Sequence, residues 1–283
     1  MHKMLNAAQI AAFEEHGYLS PVPVMSAAEA TAIRVALERV EDGTGGALRG
    51  DLRHKPHLLF PFLADLVRHP RILDAVEDLL GPDLLCWSSS FFIKEATTPS
   101  FVSWHQDSTY WGLSSPDVVT AWVALTPSHA ANGAMAVIPG SHKMDQVPHR
   151  DTFDRHNLLT RGQEIAVEVD EGQAVLLTLR PGEMSLHHVR LVHGSAPNPS
   201  GERRIGFAIR YIPTRLRQLE GDDSATLVRG EDRYSHFELE PRPASDMDPE
   251  LVELHKRITR RNAQILYRGT GVADYNDPAA MRG

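Results

Sequence analysis

The feature that most restricts what this chain can fold into is a change of texture at Leu84. Upstream, apolar residues recur at helical spacing; downstream they come in short β-branched and aromatic runs cut by Pro, Gly, Ser and Asn, the pattern of strands and turns. In the upstream part, Leu5, Ile10, Ala11 and Phe13 give a short amphipathic helix ending at Gly17, and Ser26-Ala27-Ala28-Glu29 forms a capping box that opens a helix to about Asp42. His69-Pro70 begins a third helix carrying Ile72, Leu73, Val76, Leu79 and Leu80, which Gly81-Pro82 stops. Downstream, strands are expected near 84–95, 101–105, 118–126, 134–138, 165–169, 174–179, 183–193 and 204–212. With turns such as Pro139-Gly140 and Pro181-Gly182 between them, they predict a mainly β chain with flanking helices, a jelly roll whose two sheets enclose a pocket. The polar stretch 141–162 is too long for a hairpin and reads either as a lid or binding loop or as a plain surface excursion. Asp248-Pro249 opens a last helix through Leu266. With no repeat and no linker, the expectation is one domain over 1–283: a helical region 1–83, a β core 84–213 and an extension 214–283.

Bulk properties exclude several classes. A formal charge of −8 opposes a sequence-independent grip on nucleic acid, which needs clustered Lys and Arg, so a small molecule is the expected partner. Cys86 is the only cysteine; it rules out an intrachain disulfide and, on a predicted strand, reads as core. Glu14 and Glu15 interrupt the apolar run a signal peptide would need, and no stretch reaches membrane-span length, which points to a cytoplasmic protein, monomer or homodimer, with no membrane partner.

Chemistry enters through histidine and aspartate. A set of two histidines and one carboxylate leaves three adjacent positions open on iron(II), which suits joint binding of a bidentate 2-oxo acid and O2. With 15 histidines, chance alone supplies roughly one His-x-Asp in this chain. Two occur. His105-Gln106-Asp107 follows the strand-like Phe101-Val102-Ser103-Trp104, where residues i and i+2 share a face and can reach one metal. His149-Arg150-Asp151 lies in the polar insertion with no strand to hold it in register, so the first pair is taken as ligands. For the distant ligand, His187, His188 and His193 lie on the same predicted strand, with His187 and His193 on one face. His193 is chosen because Arg204 begins the next strand and can face the same interior; His187 and His188 read as packed or hydrogen-bonded core residues.

These residues stand in a wider pattern. Trp104-His105-Gln106-Asp107, Trp122 through Asn132-Gly133 to Ile138-Pro139-Gly140-Ser141-His142, His193-Gly194-Ser195 with Asn198, and Arg203-Arg204 before Ile205-Gly206-Phe207 together resemble the phytanoyl-CoA dioxygenase family over roughly 84–213. The resemblance implies a cupin-like double-stranded β-helix with a helical N-terminal region. It implies Fe(2+) held by His105, Asp107 and His193, with 2-oxoglutarate and O2 as co-substrates. Arg204, after the distal histidine, would pair with the far carboxylate of 2-oxoglutarate, while Arg203 points the other way; a planar guanidinium suits a carboxylate. Ser195 would touch the same carboxylate, and Lys94 and Trp122 are weaker candidates for lining that pocket, Trp122 reading equally as a large core aromatic. The implied reaction is hydroxylation of a small-molecule C–H bond with release of succinate and CO2. One departure is Ala131, where the family often has an acid before Asn-Gly. Two rivals remain: a halogenating relative, whose carboxylate position holds Ala or Gly and which Asp107 opposes, and a non-catalytic cupin-like binding protein. Tyr110, Trp111, Arg210, Arg215 and Arg217 are expected near the pocket mouth, where the three arginines suit an anionic substrate or, equally, form a solvated cluster.

Overall fold

The structure is a computed structural model that describes residues 2–277. Four α-helices lie in the N-terminal region: α1 (Ala7–His16), α2 (Ala27–Thr44), α3 (Pro61–Leu66) and α4 (Pro70–Leu80). The capping box of α2 forms as expected, Ser26 Oγ accepting from Glu29 N and the Glu29 carboxylate accepting from Ser26 N. A last helix, α5 (Pro249–Leu266), is capped by Asp248.

Between α1 and α2 runs β1 (Tyr18–Pro23); the strands that follow are β2 (Leu84–Lys94), β3 (Val102–His105), β4 (Val119–Ala124), β5 (Ala136–Val137), β6 (His149–Arg150) and β7 (Glu164–Ile165). Then come β8 (Val175–Leu176), β9 (Glu183–His188), β10 (His193–Ser195), β11 (Arg204–Pro213), β12 (Ser224–Arg229) and β13 (Glu238–Leu239). They build a seven-stranded sheet in the order β1-β9-β4-β11-β2-β12-β13, a four-stranded sheet β3-β10-β5-β8, and the pair β6-β7. The mainly β jelly-roll architecture with flanking helices is as expected.

Alternation along the large sheet decides which side chains reach the interior. Ile205, Phe207, Ile209 and Tyr211 of β11 join Val119, Ala121 and Val123 of β4, Met184 and Leu186 of β9 and the α4 residues Ile72, Leu73, Ala75 and Val76 in one buried core. The even-numbered partners Arg204, Ala208 and Arg210, with Thr120 and Trp122, line a cavity on the other face. Period-two alternation thus separates a helix-covered apolar face from a polar one. Arg203, one residue off, goes to the helix side and meets Glu41 of α2 at 2.7 Å and Glu95 at 2.9 Å.

Four local expectations need correction, the first being that His149 and Arg150, expected to have no strand to hold them, form β6 and pair with β7. The run 183–193 is not one strand: β9 ends at His188, the chain turns, and β10 begins at His193 in the other sheet. Val189, Leu191 and Val192 stay buried through this corner, so the apolar pattern carries no break where the backbone does. The short edge strand β1 falls in a region expected to be helical; its Pro21 and Pro23 are tolerated because the ladder at a sheet edge has a free side. The charged extension, expected to hold no strand, contributes β12 and β13.

Candidate metal centre

His105 ends β3 and His193 begins β10; the two are directly paired in antiparallel register, with ring centroids 4.1 Å apart. Asp107 opens the 3-10 turn Asp107–Tyr110, two residues past His105, which swings its carboxylate back so that Oδ1 lies 3.2 Å from His105 Nε2. Two donor atoms about 2.1 Å from one ion at a right angle would lie ~3 Å apart, so this spacing fits shared ligation. Among the described residues, His105, Asp107 and His193 are the one group of three such side chains whose ligand atoms all lie within 4.8 Å of one another, and all three are buried.

Whether these residues fit a metal is decided by their hydrogen bonds. His105 Nδ1 lies 2.9 Å from Ser103 O and His193 Nδ1 lies 2.9 Å from Leu191 O, so each ring donates from Nδ1 to a backbone carbonyl and turns Nε2 toward its neighbours. That outer partner fixes tautomer and ring plane, as for metal-binding histidines generally. Burial holds the His193 imidazole well below the usual histidine range, hence neutral and able to ligate. Burial alone would raise the Asp107 carboxyl, but the adjoining His105, His193 and Arg210 outweigh it and hold Asp107 well below the usual carboxylate range. A neutral imidazole and an ionised carboxylate are the states that iron(II) requires.

Gln106 and the second His-x-Asp support this turn. Gln106 N donates to His149 Nε2 at 3.0 Å, and the Gln106 side chain bonds Val147 N at 2.9 Å and Arg190 O at 3.0 Å. Asp151 accepts from Tyr110 Oη at 2.8 Å and from Arg161 Nε at 2.9 Å. The insertion is thereby clamped onto the His105–Asp107 turn, and His149, though no part of the ligand group, braces its backbone.

The other end of the cavity carries Arg204, whose guanidinium lies 5.3 Å from the Trp122 ring centre. Burial pushes the Arg204 guanidinium down to about 10, so it stays charged at neutral pH. Gly206 makes room for Trp122 there: a Cβ at that position would meet the indole at 1.8 Å. Ser195 lines the cavity, and Lys94 stands behind it, fully buried, its Nζ 2.6 Å from Ser195 Oγ and bonded to the carbonyls of Gly133, Ser195 and Ala196. Burial, with Arg204 nearby, pushes the Lys94 ammonium down to about 6. Lys94 therefore orients Ser195 and does not itself line the cavity. Asn198 donates to Glu95 O at 2.9 Å and Glu202 O at 2.7 Å, fixing the loop that spaces Arg204 from His193. Ala131 is exposed, so the departure there touches none of these groups.

Four cavity-lining residues end in a buried polar atom with no partner: Thr120 Oγ1, His187 Nδ1, Arg204 Nε and Arg210 Nε. Such atoms are costly when left alone, and their convergence on one cavity marks a place for a polar ligand. His187 reaches the cavity from β9, its ring 5.0 Å from His193, so it shares a site with His193 although not a strand; His188 instead faces His142. Arg215 and Arg217 are exposed, Arg215 pairing with Asp117 at 2.8 Å, and they form no basic trio with Arg210. The cation found near Arg210 is Arg53, for which the sequence carries no local signal.

A double-sheet jelly roll holding a buried group of two histidines and one carboxylate defines a class, the non-haem iron oxygenases. Comparison with known proteins narrows it: residues 13–206 match the family model for phytanoyl-CoA dioxygenase (PhyH), and the chain belongs to that family of iron- and 2-oxoglutarate-dependent oxygenases. Its sequence is 31% identical over 219 residues to a probable alpha-ketoglutarate-dependent hypophosphite dioxygenase of Stutzerimonas stutzeri, covering 73% of this chain and 76% of that one. It is 25% identical over 235 residues to an ectoine dioxygenase of Bordetella parapertussis, covering 73% and 75%. Among solved structures it is similar to the apo non-heme monooxygenase ThoJ, with a TM-score of 0.81, 37% identity and coverage of 92% and 98%. It is also similar to CytC3 with Fe(II) and alpha-ketoglutarate, with a TM-score of 0.64, 25% identity and coverage of 84% and 94%. The chain is thus a 2-oxoglutarate-dependent dioxygenase that uses Fe(II) and acts on a small-molecule substrate. No helix among the described residues is long and apolar enough to cross a membrane.

Proposed function

We propose that this enzyme hydroxylates an unactivated C–H bond of a small molecule, releasing succinate and CO2, with His105, Asp107 and His193 as the iron ligands and Arg204 and Ser195 as the seat of the far carboxylate of 2-oxoglutarate. The observation that carries this reading is the convergence of three buried ligand atoms within 4.8 Å at one end of a cavity whose other end holds a buried, charged and unpaired Arg204. Bound iron(II), with 2-oxoglutarate and O2, supplies the oxidising power that turns C–H into C–OH while the co-acid loses CO2 and becomes succinate.

The chain's own residues do the rest. His105 and His193 keep Nε2 free of a proton by donating Nδ1–H to backbone carbonyls, and Asp107 contributes the one negative charge among the ligands. Arg204 offers its N–H fork and Ser195 its hydroxyl to a carboxylate, with Lys94 holding the Ser195 oxygen in place and Trp122 forming the adjoining wall. Thr120 and His187 offer the remaining unpartnered atoms to a polar co-substrate. The clamped insertion holds the His105–Asp107 turn in place. The relatives named for hypophosphite and ectoine, and one named L-proline trans-4-hydroxylase from Streptomyces griseoviridis, all have small compounds in their names, which supports a small substrate here. We read the chain as one domain, 1–283, acting in the cytoplasm as monomer or homodimer; the packing of α4 on the β4-β11 face supports the first of these.

The test is a screen of small acids and natural-product precursors for substrate-stimulated succinate formation. Stimulation that a chelator abolishes and added iron(II) restores is the expected result. Succinate formation indifferent to iron removal would refute the reading.

A further inference from the structure

Past Asp107 the interior continues into a second chamber of about 60 Å³, walled by Trp87, Phe92, Trp111 and Tyr275 and containing two guanidiniums, Arg53 and Arg210. Arg210 is buried, donates from Nη1 to Ser90 Oγ at 2.6 Å, and leaves Nε without a partner. Arg53, at the end of the 3-10 turn Gly50–Arg53, donates from Nη2 to Leu158 O at 2.7 Å and from Nε to Phe91 O at 3.4 Å. Both lie against the same ring, their guanidinium carbons 5.5 Å and 5.7 Å from the Phe92 centre. Neither makes a salt bridge with a carboxylate among the described residues; the Arg53 and Arg210 bonds named here go to carbonyls and a hydroxyl. The acid near Arg210 is Asp107, which the ligand set already claims.

Formal charge shows what is missing. Iron(II) with doubly charged 2-oxoglutarate and Asp107 leaves one negative charge at the centre, which Arg204 cancels. Arg53 and Arg210 then remain as two positive charges in one chamber, where burial and then the neighbouring Arg210 disfavour the charge on Arg53. Arginines on a protein surface need no explanation, but two facing one chamber whose one lining carboxylate, Asp107, is taken by the ligand set do.

We infer that this chamber binds a small oxyanion head, a carboxylate or a phosphorus oxyanion, of the substrate, between Arg53 and Arg210. The inference rests on the oxygenase reading, since it takes the chamber beside Asp107 as the substrate side. Two guanidinium forks supply paired N–H donors to two or three oxygens, while the aromatic walls suit the carbon skeleton that must lie toward Asp107. At about 60 Å³ the chamber admits roughly four to six waters' worth of ligand, the size of a compact head group. A longer substrate has room beyond Arg53, where a neighbouring cavity of about 210 Å³ shares Arg53, His54 and Leu158 with the chamber.

The test uses the whole protein loaded anaerobically with iron(II) and saturating 2-oxoglutarate, with two readouts. The metal-to-ligand charge-transfer band reports the iron–2-oxoglutarate centre, and tryptophan fluorescence reports the chamber, because Trp87 and Trp111 face it with ring centroids 4.9 Å apart. Methylphosphonate and acetate are titrated as probes of the two oxyanion types, with acetamide as the neutral counterpart of acetate. At least one anion should quench saturably and shift the band while acetamide does neither. Arg53→Gln and Arg210→Gln should each weaken that response about ten- to a hundred-fold, and Arg53→Lys should restore part of it. Arg215→Gln, on the surface, should match wild type. Since Arg210→Gln could disturb folding, a native circular dichroism spectrum and formation of the band qualify each variant, and Arg53→Gln alone is enough to decide the question. A normal band with no anion response, an equal response to acetamide, or full response in both Gln variants would overturn the inference and leave the oxygenase reading standing. An absent band in wild type would fell the oxygenase reading and, with it, the assignment of the anion as substrate.

Discussion

Two buried polar clusters lie on opposite faces of the same strand, and they are built to opposite rules. Ser89 of β2 bonds His57 Nδ1 at 2.6 Å on one face; Ser90, the next residue, bonds Arg210 on the other. Around His57, every charge is matched. Lys55 Nζ meets Glu240 Oε1 at 2.5 Å and Ser224 O at 2.6 Å, Ser224 and Thr226 each donate to the Glu240 carboxylate at 2.7 Å, and no side-chain atom of these residues is left orphaned. Around Arg210, Thr120, His187 and Arg204 also end in unpartnered atoms. A satisfied buried network stabilises and specifies a fold; an unsatisfied one of similar burial and charge costs free energy and is tolerable where a ligand completes it. The contrast tells structure from function without reference to any relative.

The contrast breaks if substitutions in the two clusters have the same kind of effect. The largest effect is expected at the metal side. Asp107→Gly removes the one anionic ligand, and hydroxylation should fall by more than about a hundred-fold, above the range usual for outer-shell partners, with iron content reduced in the same preparation. A chlorinated product is not expected, because holding a halide would need further groups around the vacated position. Near wild-type turnover with normal iron would remove Asp107 from the ligand set.

Second comes the satisfied cluster. Glu240→Gln leaves Lys55 buried without its counter-charge and should destabilise the protein by about 3–5 kcal/mol, read from urea unfolding, with no change in the 2-oxoglutarate dependence of whatever folded enzyme remains. Third, Arg204→Leu should leave urea unfolding nearly unchanged, since its Nε has no partner to lose, yet raise the 2-oxoglutarate requirement about ten- to a hundred-fold through loss of a charge-assisted bond. Arg203→Leu should do the reverse, releasing Glu41 and sparing 2-oxoglutarate; an affected Arg203 variant beside an unaffected Arg204 variant would reverse the register given for β11.

A smaller effect concerns pH. Burial alone would raise the Glu240 carboxyl, but Lys55 and then His57 outweigh it and hold it at about 2, below the ordinary value of 4.5. Its contribution to stability is therefore full above pH 4.5 and lost as pH falls from there toward 2. Unfolding measured across that window should show a wild-type slope that Glu240→Gln reduces; identical slopes would mean the carboxylate is not held as described.

Much of this is legible in the sequence where local rules govern. His105 and Asp107 are separable from His149 and Asp151 because a strand-like run precedes the first pair, and Arg204 is separable from Arg203 by alternation alone. The corner between His188 and His193 is not legible, because Val189, Leu191 and Val192 stay buried through it and mimic a continuing strand. His187 reads in sequence as a core residue, and only the juxtaposition of β9 with β10 across the cavity shows it beside His193. Arg53 lies in a segment without periodicity and meets Leu158 and Phe92, far away in the chain, so tertiary contact alone assigns it. The brace between His149 and Gln106 likewise joins segments that no spacing rule connects.

That brace makes the two His-x-Asp motifs the most direct test of the central claim, that His105, Asp107 and His193 hold the iron. The measurement is anaerobic iron(II) binding, as ions per chain and affinity, for wild type, His105→Ala, His193→Ala and His149→Ala. Wild type should bind one ion per chain, and His105→Ala and His193→Ala should fail to retain it. His149→Ala should keep the stoichiometry with affinity lowered no more than about ten-fold, the low end for a residue that acts through another. Full iron retention in His105→Ala or His193→Ala, or loss of the ion in His149→Ala alone, would contradict the account.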